Sequence, residues 1–271
     1  MYALNTTQLI GRLTEKPEVR TVGSAGTPVT DLNLEIRTHS TAPGTPISTT
    51  FFQVTLWRRL AEIARDYLDQ GSEVYVSGRL ETDSWEDDQG NKKYKTKLIA
   101  NELIMLTPKT GGHSPLPESL QISGGLNRAE IIGNTTKDPE LKTTTNGNQV
   151  CSFSVATNRS WKDQNGEMQE KTEFHNLVVW GDLALEVSKH ITKGRKIYAS
   201  GRVQTRSWEG PDGNKRYTTE IIADTIKSLG HSFSVQATKT EKPAQEITQE
   251  SPQDIPSISY ESDIKPEDLP F

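Results

Sequence analysis

Cysteine is nearly absent from the 271-residue chain: Cys151 stands alone, which excludes an internal disulfide framework and fits a reducing compartment. Long apolar runs are missing too, and nothing approaches the roughly 20 residues that a membrane-spanning helix needs. The N-terminus "MYALNTTQLIGRL" has no basic region leading into an apolar stretch, so the expected location is the cytoplasm. The glycosylation-type triplets at Asn5, Asn134 and Asn158 then carry no meaning. Five histidines (His39, His113, His175, His190 and His231) show no metal-ligand spacing, and no second cysteine could join them. A Gly-rich phosphate loop ending in Lys-Ser/Thr is absent. The carboxylates Asp87 and Asp88 sit in a turn without the apolar surroundings that would raise a pKa. The expectation is therefore a chain with no catalytic constellation, metal or cofactor.

Charge of one sign is lacking in most of the chain. Residues 232–271 hold eight acidic and three basic side chains, so the formal net charge of −5 is already accounted for there. The remaining residues balance, and a polyanion partner would require their cations to be gathered on one face. Hydrophobic content of 32% and a mean hydropathy of −0.66 are low for a wholly folded chain. The stretch 232–271, rich in Gln, Glu, Ser, Thr and Pro, is predicted to be a disordered acidic tail because it cannot bury enough apolar surface to offset its ordering entropy.

What is present is one unit written twice. "LIGRLTEKPEVR" at 9–20 echoes "IIGNTTKDPELK" at 131–142, and "TTFFQVTLW" at 49–57 echoes "KTEFHNLVVW" at 171–180. "RRLAEIARDYLDQGSEVYVSGRL" at 58–80 echoes "GDLALEVSKHITKGRKIYASGRV" at 181–203, and "SWEDDQGNKKYKTKL" at 84–98 echoes "SWEGPDGNKRYTTEI" at 207–221. Within each copy, short alternating strands are bounded by Gly, Asn, Asp and Pro. One amphipathic helix interrupts them, marked by Leu60, Ile63, Ala64, Tyr67 and Leu68 in the first copy and by Leu183, Val187 and Ile191 in the second. Three strands, a helix and a long hairpin form the order of a five-stranded OB barrel. The predicted fold is all-β, two tandem OB barrels each with one short helix. The predicted division is 1–106, a linker at 107–125, 126–231, and the tail at 232–271.

Strand parity sorts the aromatics, since alternate side chains face opposite sides. Phe52, Val54 and Leu56 form a core side, opposite Phe51, Gln53, Thr55 and Trp57. His175, Leu177 and Val179 oppose Phe174, Asn176, Val178 and Trp180, with Val178 ambiguous. In the hairpins, Val74, Val76, Gly78 and Leu80 oppose Arg79, Glu81, Asp83 and Trp85; Ile197, Ala199, Gly201 and Val203 oppose Arg202, Gln204, Arg206 and Trp208. Lys93, Lys95 and Lys97 form a row beside Trp85. Packing is the commoner fate of a single strand tryptophan. The repetition of aromatics on the polar side of two strands in both copies favours stacking, and rings interleaved with cations suit single-stranded nucleic acid.

The second repeat carries "IIGNTTKDPEL", "NRSW", "TEFHNLVVWGDLA", "YASGRVQTRSW" and "GNKRYTTEI" in one order. With these motifs the chain resembles the bacterial single-stranded-DNA-binding protein family, most closely its members with two OB units per chain. That resemblance implies base stacking by Trp161, Phe174, Trp180 and Trp208, and by Phe51, Trp57 and Trp85 at the matching places of the first repeat. Arg79, Lys93, Lys95, Arg159, Arg202 and Arg206 are the expected cations beside them. The resemblance alone assigns Trp161, which falls in phase with Phe153 and Val155. The first copy has "THSTAPGTPIST" where the second has "NRSWKDQNGEMQEK", so the second is expected to bind more strongly per base. The resemblance further implies a homodimer with four OB units, a nucleoid-associated cytoplasmic location, and roles in replication, recombination and repair. It also implies a C-terminal tip, here Glu267, Asp268, Leu269, Pro270 and Phe271, that docks on partner proteins. An RNA-binding module on the same barrel, a nuclease and a protein-interaction scaffold stay open as alternatives.

Overall fold

The computed structural model describes residues 3–38, 48–86, 92–106, 125–163, 165–209 and 215–230, with only the backbone at 92, 207–209 and 215–216. The predicted linker, apart from Gly125, and the predicted tail lie outside the described residues. The first repeat contains β1 (Leu4–Leu13), β2 (Val19–Val22), β3 (Thr27–Thr38), β4 (Ser48–Trp57), α1 (Arg59–Tyr67), β5 (Glu73–Glu86) and β6 (Lys92–Met105). The second contains β7 (Asn127–Thr135), β8 (Glu140–Thr143), β9 (Gln149–Lys162), β10 (Met168–Trp180), α2 (Gly181–His190), β11 (Lys196–Glu209) and β12 (Lys215–Ser228).

Five long strands close each barrel. In the first, β1 pairs with β3 and β5, β3 with β4, and β5 with β6, all antiparallel; the parallel pair β4–β6 completes the circuit. The second repeats this with β7, β9, β10, β12 and β11. The all-β, two-barrel expectation holds, and the structure adds the short strands β2 and β8, each four residues long and paired to the edge of the next strand. Alternation places Leu9, Leu34, Val54, Leu56, Val76 and Leu98 in the first core, fully buried, and Ile131, Val155, Leu177, Val179 and Ile197 in the second. Cys151 is buried there as a small apolar residue, and burial pushes its thiol up to about 11. Tyr67, expected on the packed face of α1, is exposed, whereas Ala61, Ala64 and Leu68 face the core.

A β-bulge bends each long hairpin at a matching place, between Ser77 and Gly78 and between Ser200 and Gly201. A Cβ on Gly78 or Gly201 would lie 2.1 Å from the carbonyl oxygen of Ile99 or Ile222, so only glycine fits. The two barrels join through β1 and β7, antiparallel from Leu4 opposite Ile132 to Leu9 opposite Asn127. Thr7 meets Ala129, its own counterpart in the repeat, so the junction is a local pseudo-twofold. Just beyond each β1–β5-type ladder an asparagine continues it with its side chain. Asn5 donates to Leu80 O at 2.8 Å and accepts from Leu80 N at 3.0 Å; Asn127 does the same with Val203 at 2.8 Å in both directions.

The copies differ at two places that matter for stability. Buried His175 lies 2.9 Å from the Thr157 hydroxyl, where the first barrel has the apolar pair Phe52 and Ile36. Desolvation depresses the His175 imidazole to about 4. After Trp57 the chain turns through Arg58 with φ 54°, where the second copy has Gly181 at φ 62°. A side chain in that left-handed region costs about 1–3 kcal/mol.

Two outcomes follow from these differences. Arg58→Gly should raise the unfolding free energy by about 1 kcal/mol, read from urea midpoints at constant m. Because the folded chain refuses a proton that the unfolded chain accepts near pH 6.5, the His175 contribution is full above that pH and is lost as pH falls toward 4. The doubly substituted Thr157→Ile, His175→Phe variant should lose less stability than wild type between pH 7.5 and 4.5, by on the order of 3 kcal/mol.

Candidate nucleic-acid interface

Outward-facing aromatics occupy corresponding positions on the two barrels. Phe51 is 61% exposed and Phe174 53%; Trp57 is 39% exposed and Trp180 47%. Both pairs stand on β4 and β10 with the alternate residues Phe52, Val54 and Leu56, or His175, Leu177 and Val179, buried beneath them. Trp85 is exposed near the tip of the β5–β6 hairpin, opposite Lys93. Trp208 holds the matching backbone place opposite Arg216 in β11–β12; its side chain lies outside the described residues. Thr55 and Val178 share the outward phase yet are buried, at matching sites where β4 meets β6 and β10 meets β12.

Parity does not reveal two further exposed rings, Tyr94 and Tyr217. They lie in phase with the core residues Leu98 and Ile221, so a sequence reading files them as interior. Their hairpins run past the end of the barrel, where the inward face no longer has a core to meet. The doubling of tyrosine in "GNKKYKTKL" and "GNKRYTTEI" is the signal that could have found them. Trp161 illustrates the same effect. It is half-buried, in phase with Phe153 and Val155, but β9 has left the barrel by that point. One face of its ring is covered by the Arg159 guanidinium, 4.5 Å from the centroid.

The expected cations divide into those with internal duties and those turned to solvent. Arg206 makes a bidentate contact with buried Glu220, at 2.9 and 2.7 Å. Its counterpart pair in the first barrel is Asp83 and Lys97, 2.5 Å apart, the same diagonal with the charges exchanged. Arg79 is bound to Glu81 at 3.1 Å. Lys93 is half-buried, whereas Lys95, Arg159 and Arg202 are exposed. Arg202, Arg128 and Trp180 border a cavity of about 390 Å³ that also touches Leu183, Ile222 and Asp224. Arg128 is itself paired with Glu130 at 3.3 Å, which leaves the Trp180 ring and the exposed Arg202 as the groups this cavity offers to a base and its phosphate.

Where the barrels meet, β10 lies against β5. Lys171 reaches Glu81 at 2.9 Å and Glu173 at 2.8 Å, and the backbone N–H of Thr82 donates to Glu173 at 3.1 Å. Burial raises the Glu81 carboxyl, but Lys171 and Arg79 outweigh it and hold the group below the usual range. Burial opposes the charge on Lys171, and the two glutamates outweigh that effect and raise it. Among the described residues no three His, Cys, Asp or Glu side chains gather to hold a metal ion, and no helix is long and apolar enough to cross a membrane.

This doubled barrel with its external rings has close parallels among known proteins. The model of the Single-strand binding protein family matches residues 4–106 and again 126–229. A single-stranded DNA-binding protein of Deinococcus radiodurans is 31% identical over 229 residues, which cover 83% of this chain and 75% of that protein. Single-stranded DNA-binding protein 1 of Chlorobaculum tepidum is 44% identical over 107 residues, 39% of this chain and 66% of that protein, so the match falls just short of two thirds of its length. Among solved structures, a deletion mutant of the single-stranded DNA binding protein from Thermus aquaticus superposes with a TM-score of 0.66 at 26% identity. That superposition covers 86% of this chain and 98% of the other. Through both of its repeats, the chain belongs to the single-strand binding protein family.

Proposed function

We propose that the protein binds single-stranded DNA with little regard to sequence and protects it during replication, recombination and repair. The observation that carries this reading is the repeated set of solvent-facing rings, Phe51 with Phe174 and Trp57 with Trp180, joined by Trp85 at the first hairpin; Trp208 holds the matching backbone place in the second. Every base has a π face, so such a set holds any sequence, while Lys95, Arg202 and neighbouring cations follow the phosphates. Residues 1–106 and 126–231 act as the two binding units with 107–125 as linker. Two chains associate into a particle with four OB units, and no bond is made or broken. The tail from 232 onward presents Leu269, Pro270 and Phe271 to an apolar pocket on a partner, with Glu267 and Asp268 steering the approach to a basic rim.

Titration of the tryptophan fluorescence with oligo(dT) at several salt concentrations tests the binding. Strong quenching that weakens as salt rises is expected, and equal preference for the ribo-oligomer would shift the reading toward RNA. Trp180→Ala and Trp208→Ala should each cost about 1–3 kcal/mol of affinity and more than Trp57→Ala or Trp85→Ala. Deleting residues 264–271 should leave DNA affinity nearly intact and abolish capture of partner proteins.

A further inference from the structure

We propose that the contact between β5 of the first barrel and the β9–β10 arm of the second is a crossing point for the DNA strand, where Arg79 and Arg159 grip a single phosphodiester. This rests on the single-stranded DNA reading and adds the route by which one strand passes between barrels. The β9–β10 arm extends beyond its own core, and Lys171 and Glu173 on its inward face meet Glu81 and Thr82 of the neighbour. Arg159 stands opposite Lys171 in the same ladder. Five charged groups thus meet: Arg79, Arg159 and Lys171 against Glu81 and Glu173. Lys171 and Arg79 neutralise the two carboxylates, which leaves Arg159 as the surplus positive charge.

Among the described residues that surplus is held in place rather than paired. The Arg159 guanidinium lies over Trp161, which fixes its plane and limits its rotamers. Arg159 shares its ladder position with Lys171, Lys171 lies 2.9 Å from Glu81 and Glu81 lies 3.1 Å from Arg79, so the two guanidiniums belong to one cluster; partial desolvation and then repulsion from Arg79 lower the Arg159 pKa, while Glu81 opposes them. Two cations brought together from separate barrels are relieved by an anion between them, and the phosphodiester of a strand already stacked on external rings supplies one.

The pseudo-twofold gives the chain a second junction for comparison. At the positions matching Arg159, Lys171, Glu173 and Glu81 it has Thr38, Ser48, Thr50 and Gln204. Only Arg202 remains, matching Arg79. Simple stapling of the barrels would serve equally at both junctions; a charged set at one of the two marks a route.

The test uses the full chain and fluorescently labelled oligo(dT) of two lengths: about 8 nucleotides, within the roughly 4–16 that one OB unit covers, and about 30. Arg159→Gln should weaken the long oligomer about tenfold and the short one by a clearly smaller factor, and reduce the salt slope for the long oligomer by about 0.7, the value of one single-strand phosphate. The Arg79→Gln, Arg159→Gln double variant should reduce the slope no further, because both residues share that phosphate. Equal weakening at both lengths, no change in slope, or a double variant with twice the loss would overturn the crossing point. If Trp180→Ala weakens both oligomers while Arg159→Gln affects neither, the crossing point falls and the DNA reading stands. Failure of the unsubstituted chain to bind either oligomer overturns both.

Discussion

The antiparallel ladder between β1 and β7 is the interaction on which the rest of the structure depends. A lone barrel of this type would leave the N-terminal half of its first strand with a row of unpaired backbone groups, a template for uncontrolled association. Here residues 4–9 of one copy pair with 127–132 of the other, so each barrel completes its twin. The register sets Thr7 against Ala129, and the β1–β7 pairing joins the two barrels' own strand orders into one that reads the same from either end: β2-β3-β4-β6-β5-β1 and then β7-β11-β12-β10-β9-β8. Asn5 and Asn127 tie the outer side of that ladder to the hairpins that carry Trp85 and Trp208. Duplication alone does not dictate this arrangement; the pairing of the two first strands does.

How much of this was legible in the residues depends on where the two-residue period has a core to refer to. Inside the barrels it sorted Phe52 from Phe51 and Leu177 from Trp180 without help, since one face is dry and the other wet. Beyond the barrel rim the period persists but its meaning lapses. Tyr94 and Tyr217 therefore stand outside, and Trp161 is only half-buried, although their phase is inward. The short strands β2 and β8 were missed because four residues with mixed exposure have no pattern to detect. Pairing partners were hidden as well. A row of lysines or arginines on paper does not show that Lys97 faces Asp83, or that Arg206 is held by Glu220. Long-range diagonal contacts depend on register, which the bulges at Gly78 and Gly201 shift by one residue.

The contrast between those two ion pairs separates what the fold requires from what it leaves free. Both occupy the same diagonal between the two long hairpin strands, and in both the inner member sits on the returning strand: Lys97 is 19% exposed and Glu220 8%. The outer members are equally open, Asp83 at 47% and Arg206 at 50%. An ion at the inner position would be costly if left unpaired, so each copy supplies the opposite charge, and either polarity serves. Polarity is what a passing polyanion feels. With Arg206 outward the second hairpin offers it a cation, and with Asp83 outward the first offers a carboxylate. Exchanging the two signs keeps the contact that closes the hairpin and changes the field along its rim, so surface charge can diverge between duplicated barrels without any change in how they fold.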